Sequence, residues 1–385
     1  MFESFVSFVR ELYNAPTDFI PLHAPRFRGN EKRYVTDSID STFVSSVGAY
    51  VDLFEQRIAE YTGATHAVAV VNGTNALQVA LRLVGVGIGD YVITQPLTFI
   101  ATCNAIRYQG ADPLFVDVDA ATLGLSPERL EEFLSQEATV EKQGCWHRAS
   151  GRRLAACLPM HTFGHPSRVA DLQSVCSHYG IPLVEDAAES LGSRYRGQHT
   201  GTFGAVGTLS FNGNKIITAG GGGAIITHDE ALAKRAKHLT TQAKVAHAWE
   251  YVHDEIGYNY RMPNLNAALL CAQLEMLPQF LEEKRAIAQA YSDFFASQKA
   301  TFIEEPEQAL SNYWLNTVLL EDRTERNAFL QYTNDRQVMT RPAWQLMPRL
   351  QMFADAPRGT LSVAEDLVDR LVNIPSSAYS ANPSL

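Results

Sequence analysis

The chain has 385 residues, enough for two or three domains and a sizeable core, and its 46% hydrophobic and 19% charged content is that of an ordinary globular protein. Its net charge of −10, from 42 acidic against 32 basic residues, includes no run of like charge, which argues against a nucleic-acid partner. Five scattered cysteines (Cys103, Cys145, Cys157, Cys176 and Cys271) form no CxxC pair, so neither a zinc site nor a disulfide framework is indicated, and reduced thiols of a cytoplasm are the simple reading.

The opening residues, Met1-Phe2-Glu3-Ser4-Phe5, carry an early acid and no basic stretch, which argues against a signal peptide. No apolar stretch reaches the ~18 residues of a membrane-spanning helix. From about Tyr61, short apolar runs alternate with longer amphipathic stretches. Segments 66–71, 91–95, 113–118, 154–160, 182–185, 206–211 and 223–227 read as strands, and 75–84, 100–109, 127–135 and 170–178 read as helices between them. Strands that are apolar throughout and separated by helices predict an α/β fold, with a sheet covered on both faces and many parallel strands. Ser126-Pro127 marks a helix start, the serine as cap and the proline in the first turn. Segment 136–153 is polar and basic and reads as a surface excursion. After about Lys244 the texture changes. Two helices are expected, 264–277 and 282–296, and then 314–321 and 361–373 suggest a smaller α/β module.

Three short motifs carry chemistry. Gly73-Thr74-Asn75 follows a predicted strand and opens a predicted helix. Free N–H groups and the positive dipole end can hold a phosphate there, with the Thr74 hydroxyl as a further donor; the same residues also read as a plain capped helix. Asp186, in Val184-Glu185-Asp186-Ala187-Ala188-Glu189, ends a strand, where open α/β sheets place ligands. A capping aspartate is the alternative. Lys215, in Ser210-Phe211-Asn212-Gly213-Asn214-Lys215, lies just past a strand. Alone it reads as a surface lysine in a turn; partly desolvated, it is an amine that can form a Schiff base. Together the three supply an amine, a carboxylate for a pyridinium nitrogen and, with Ser210, a phosphate cradle. Those are the parts of a pyridoxal phosphate (PLP) site.

Other motifs fall away. Gly220–Gly223 leads into a strand with no Gly-Lys-Ser/Thr after it, so it is not a P-loop, and Gly85-Val86-Gly87-Ile88-Gly89 follows a helix rather than a strand, so it is not a dinucleotide fingerprint. His161 and His165 are four apart, but Gly164 and Pro166 make that segment a loop and no third ligand is evident. No metal site is predicted, and a structural or substrate-contact role is expected for the histidines.

From Pro21 to about Pro375 the chain resembles the sugar-nucleotide aminotransferases, PLP-dependent enzymes of the aspartate aminotransferase-like (type I) fold. The resemblance rests on the three motifs above together with Phe43-Val44-Ser45-Ser46-Val47-Gly48, Thr98-Phe99-Ile100-Ala101-Thr102 and Gly257-Tyr258-Asn259-Tyr260-Arg261-Met262-Pro263. It implies a large PLP-binding domain, 20–245, with a mixed, mostly parallel seven-stranded sheet, a smaller C-terminal α/β domain, 246–385, and an N-terminal helical segment, 1–19. It implies that Lys215 carries the Schiff base and shuttles the proton, that Asp186 pairs with the pyridine nitrogen, and that Phe99 stacks on the ring. Gly73, Thr74, Asn75 and Ser210 would serve the phosphate. Asn259 would reach it from the partner subunit of a homodimer. Glu189 occupies a position where many relatives have glutamine against the ring's phenolic oxygen, and a glutamate there donates only when protonated.

Some relatives replace the lysine by histidine and become dehydratases, so Lys215 favours transamination. The expected cycle takes the amine from L-glutamate, stores it as pyridoxamine phosphate (PMP) and delivers it to C4 of a keto sugar with ping-pong kinetics. Segments 160–166, 243–247 and 253–257 look most like the branch that aminates UDP-linked 4-keto-6-deoxy-N-acetylhexosamines for bacillosamine and legionaminic acid synthesis. A GDP- or dTDP-linked 4-keto sugar, a UDP-3-keto sugar and a non-catalytic PLP-fold regulator are the alternatives. Ser46, His161, Lys244, Arg341 and Trp344 are the expected sugar-nucleotide contacts. A cytoplasmic enzyme with no membrane partner is expected.

Overall fold

The protein is described here by a computed structural model covering residues 1–141 and 143–379. Lys142, inside the predicted surface excursion, and 380–385, the end of the expected C-terminal domain, lie outside the described residues.

Seven strands make the larger sheet. His66–Val70, Gly223–Thr227, Val206–Ser210 and Val184–Asp186 lie side by side, as do Asp112–Phe115, Tyr91–Thr94 and Leu154–Leu158. Parallel bridges Cys157↔Leu183 and Met160↔Asp186 join the two sets. Every neighbouring pair is parallel except those of Gly223–Thr227, which runs against both its neighbours. Leu154–Leu158 and Gly223–Thr227 are buried at every position, as strands covered on both faces must be. Helices Gly73–Leu83, Ile100–Tyr108, Pro127–Glu137 and Val169–His178 follow strands of this sheet. Ser126 caps its helix as expected, accepting the N–H of Arg129 at 3.2 Å.

Thr301–Phe302, Asn316–Leu319, Leu371–Ile374 and Arg341–Pro342 form a second, antiparallel sheet in the C-terminal part of the chain. Phe5 and Val9, from the first helix, Phe2–Leu12, share a core with Phe329 and Val372, so the start of the chain packs on the C-terminal sheet.

One expectation about the elements needs revision. Segments 264–277 and 282–296 form one helix, Asn264–Phe295, with Pro278 inside it. An interior proline costs a helix about 3 kcal/mol, which burial along the whole length offsets. Leu270, Leu274, Leu277 and Phe280 pack into one core, and Ile287, Tyr291 and Phe295 into another. The expected surface excursion contains two strands: Pro127–Glu137 runs straight into Ala138–Glu141, which pairs antiparallel with Gly144–His147, and 139–141 and 148–151 are exposed.

Candidate active site

The strands that carry the motifs end at one cavity of about 370 Å³. Gly73, Thr74, Phe99, Asp186, Glu189, Ser210, Lys215 and Trp344 all line it. Each arrives from a strand end or the turn after it, so the sheet brings together residues more than a hundred positions apart in the sequence.

One wall is the helix start. Asn72 is its cap: its side-chain oxygen accepts the N–H of Asn75 at 2.8 Å and its carbonyl accepts that of Ala76 at 3.1 Å. The N–H groups of Gly73 and Thr74 are left without a helical acceptor. Ser210 closes against them so tightly that a Cβ on Gly73 would stand 2.7 Å from the Ser210 Cβ. The glycine tract explains itself here too. Gly223 passes beneath Asn72 and Gly73, and a Cβ on it would come within 2.5 Å of the Asn72 carbonyl carbon.

The floor is Asp186, 3% exposed. One carboxylate oxygen accepts the Thr102 hydroxyl at 2.7 Å and the other the N–H of Ala188 at 3.2 Å. Burial raises its carboxyl above the ordinary range, with Thr102, Ala188, Lys215 and His161 opposing the shift. Lys215 enters the same cavity with its Nζ 4.1 Å from the centre of the Trp314 ring and 3.4 Å from Glu189 Oε1. Phe99 and Trp344 flank the opening edge to face, ring centres 5.9 Å apart.

These residues fit PLP. A nearly sealed carboxylate whose direct hydrogen-bond partners are only a hydroxyl and one N–H has no cation bonded to it, a place that a protonated pyridine nitrogen would fill. The amine stands in the same cavity, and the uncapped N–H groups beside Ser210 form a cradle only glycine leaves open.

The remaining expected residues lie outside the cavity of their own chain. Asn75 does not line the cavity, its N–H being used by Asn72. Asn259 is exposed and outside this chain's own cavity, its side-chain oxygen accepting from Arg261 at 2.9 Å. Ser46 is half-buried outside the cavity. Lys244 is exposed on the hairpin of Lys244–Val245 with Val252–His253, its Nζ over the Tyr251 ring. Arg341 is exposed on the small sheet. His161 corrects the expected sugar contact. It is fully buried, Nδ1 accepts the N–H of Ser167 at 3.1 Å, and Nε2 therefore points its proton at Glu185 Oε2, 3.1 Å away. The ring is buried behind Asp186 and does not line the cavity. His165 is also buried, and burial pushes its imidazole down to about 4.

Thr102, Met160, Asn72 and Trp314 belong to the site and carried no assignment from the sequence. Thr102 lies in a motif already singled out, and its spacing of four from Thr98, whose hydroxyl it meets at 2.8 Å, was the available signal. Trp314 had none.

The fold and the site define a PLP-dependent aminotransferase of type I architecture. The chain belongs to the DegT/DnrJ/EryC1/StrS aminotransferase family, whose model matches residues 25–382, and PLP is its cofactor. It is 36% identical over 364 residues to the GDP-perosamine synthase of Escherichia coli O157:H7, covering 94% of this chain and 95% of that protein. It is equally similar, 36% over 364 residues, to EpsN of Bacillus subtilis (strain 168), a candidate pyridoxal phosphate-dependent aminotransferase, covering 93% and 91% of the two chains. The crystal structure of the aminotransferase TlmJ from Streptoalloteichus hindustanus superimposes with a TM-score of 0.84 at 27% identity, over 93% of this chain and 94% of that one. The protein is a sugar-nucleotide aminotransferase, with a nucleotide sugar and an amino donor as substrates. No described helix is long and apolar enough to cross a membrane.

Proposed function

We propose that this enzyme transfers the amino group of L-glutamate to C4 of a nucleotide-linked 4-keto-6-deoxy sugar, giving the 4-amino sugar and 2-oxoglutarate for a bacterial surface glycan. The observation that carries it is the shared cavity of Lys215 and Asp186 beside the Gly73–Ser210 cradle. PLP supplies an electrophilic aldehyde on an electron-withdrawing ring, which takes an amine from one partner and yields it to another. In this reading Asp186 keeps the pyridine nitrogen protonated, and Gly73, Thr74 and Ser210 hold the phosphate. Phe99 would lie against the ring and exclude water. Lys215 would hold the aldehyde carbon and would carry the proton as base and then acid.

The active unit in this reading is a homodimer. Asn259 sits outside its own chain's cavity, available to a partner's. Trp249, Tyr251 and Ile256 nearby are 81%, 84% and 79% exposed, an apolar surface that a second copy would cover.

For the nucleotide, the segments at 160–166, 243–247 and 253–257 support a UDP-linked N-acetylhexosamine. A second reading, a GDP-linked sugar, is favoured by the identity to a GDP-perosamine synthase. Glutamate-dependent amination of UDP-, GDP- and dTDP-linked 4-keto sugars and a UDP-3-keto sugar decides between them. Turnover of GDP-linked substrate alone would replace the UDP reading, and turnover of none would remove the proposed substrate class.

A further inference from the structure

Glu189 stands against the reacting amine and is 3% exposed. Its Oε1 lies 3.4 Å from Lys215 Nζ, and its Oε2 accepts the backbone N–H of Phe163 at 3.0 Å. That N–H is aimed by a turn in which Phe163 adopts a φ of 57°, a costly conformation for a bulky residue, held by complete burial of its ring. One carboxylate oxygen is therefore committed and the other is presented to the amine. A glutamine would have to place its oxygen on the Phe163 N–H, leaving its NH2 facing Nζ, a donor against a donor. Only a carboxylate at 189 offers Lys215 a base in this geometry.

We propose that Glu189 is the catalytic proton partner of Lys215, accepting the ammonium proton so that a neutral amine is available for bond formation and returning it when the amine acts as an acid. One N–H bond at Nζ breaks as one O–H bond forms at Oε1. The ammonium–carboxylate pair becomes an amine–carboxylic acid pair, with no co-reactant. The role rests on the PLP chemistry assigned above and extends it to a second proton-carrying group.

The surroundings favour the exchange. Burial raises the Glu189 carboxyl to about 7, Asp186 adds to the rise, and Lys215 and the Phe163 N–H oppose it. Asp186 comes from the strand Val184–Asp186, His161 lies behind it, and His23, from the N-terminal segment, feels the Lys215 charge. A buried ion pair that can collapse to a neutral pair avoids carrying two desolvated charges.

The test uses the full chain freed of PLP. It is mixed with PLP from acid to neutral pH, quenched with borohydride, and covalent capture at Lys215 is counted by mass spectrometry. Glu189→Gln should slow capture about tenfold to 100-fold near neutrality and flatten its pH dependence, with Glu189→Asp restoring part of both. Infrared spectra should show a carboxylic acid band that titrates in the wild type and is missing in E189Q. Unchanged capture and pH profile in E189Q, beside normal wild-type capture, overturns the proton-partner role alone. Wild-type protein that captures no PLP overturns the cofactor chemistry and the proposal with it. Should E189Q fail to fold, a Glu189→Ala variant with the wild-type capture rate and pH profile overturns the proposal.

Discussion

Gly73→Ala probes the phosphate cradle directly. Gly73 does not have a positive φ, so alanine is conformationally admissible and the cost is one of contact. The new Cβ would stand 2.7 Å from Ser210 Cβ and 3.1 Å from its Oγ, roughly 0.7 Å short of ordinary contact with the first. Overpacking of this kind costs about 1–3 kcal/mol. Alanine's helix propensity returns at most about 1 kcal/mol. The expected net loss is about 1–2 kcal/mol in urea unfolding of the PLP-free protein. Pushing Ser210 off the helix start also opens the cradle, so PLP should bind about tenfold to 100-fold more weakly by equilibrium dialysis. Ser210→Gly removes the clashing carbon. The double variant G73A/S210G should recover about 1 kcal/mol or more relative to the sum of the single changes. Wild-type stability and PLP affinity in G73A, or strict additivity in the double variant, would refute the cradle.

Lys215→Ala should remove covalently held PLP and reduce glutamate-dependent turnover to background; normal cycling in this variant would sink the assignment of the amine. Thr102→Val keeps the shape and deletes the 2.7 Å hydrogen bond to the buried Asp186 carboxylate, at a cost of about 1.5–3 kcal/mol in denaturant unfolding. A loss within about 0.5 kcal/mol would mean that Thr102 does not hold Asp186. Glu189, raised from 4.5 to about 7, keeps a proton in the native PLP-free protein that the unfolded chain has already released. Stability from this group is full below the unfolded pKa and is lost as pH rises through about 7, by about 3 kcal/mol in total. Melting temperature against pH should show that loss in the wild type and lack it in E189Q; the same slope in both would place its origin elsewhere.

Lys215, Asp186, Gly73 and Ser210 were legible because each sits at the junction of an apolar run with a turn, and such junctions are local in sequence. The same periodicity gave the alternation of strand and helix. The residues expected to contact the sugar nucleotide were less legible. His161 looks like any loop histidine until its ring is seen to lie buried against Glu185. Lys244 and Arg341 are exposed, and nothing in their neighbours along the chain says how far they stand from the cavity. The continuous helix Asn264–Phe295 was hidden by Pro278, whose local cost is outweighed by two cores that the chain assembles from distant segments.

The amino-acid sequence by itself determined which chemical groups this protein has at the ends of its strands, because the turn that follows a buried strand depends on neighbouring residues alone. Only the tertiary structure decided which of those groups meet. Trp314 lies over Lys215, Thr102 beneath Asp186 and Glu189 beside the amine because strand pairing and packing, rather than chain proximity, set the distances between them.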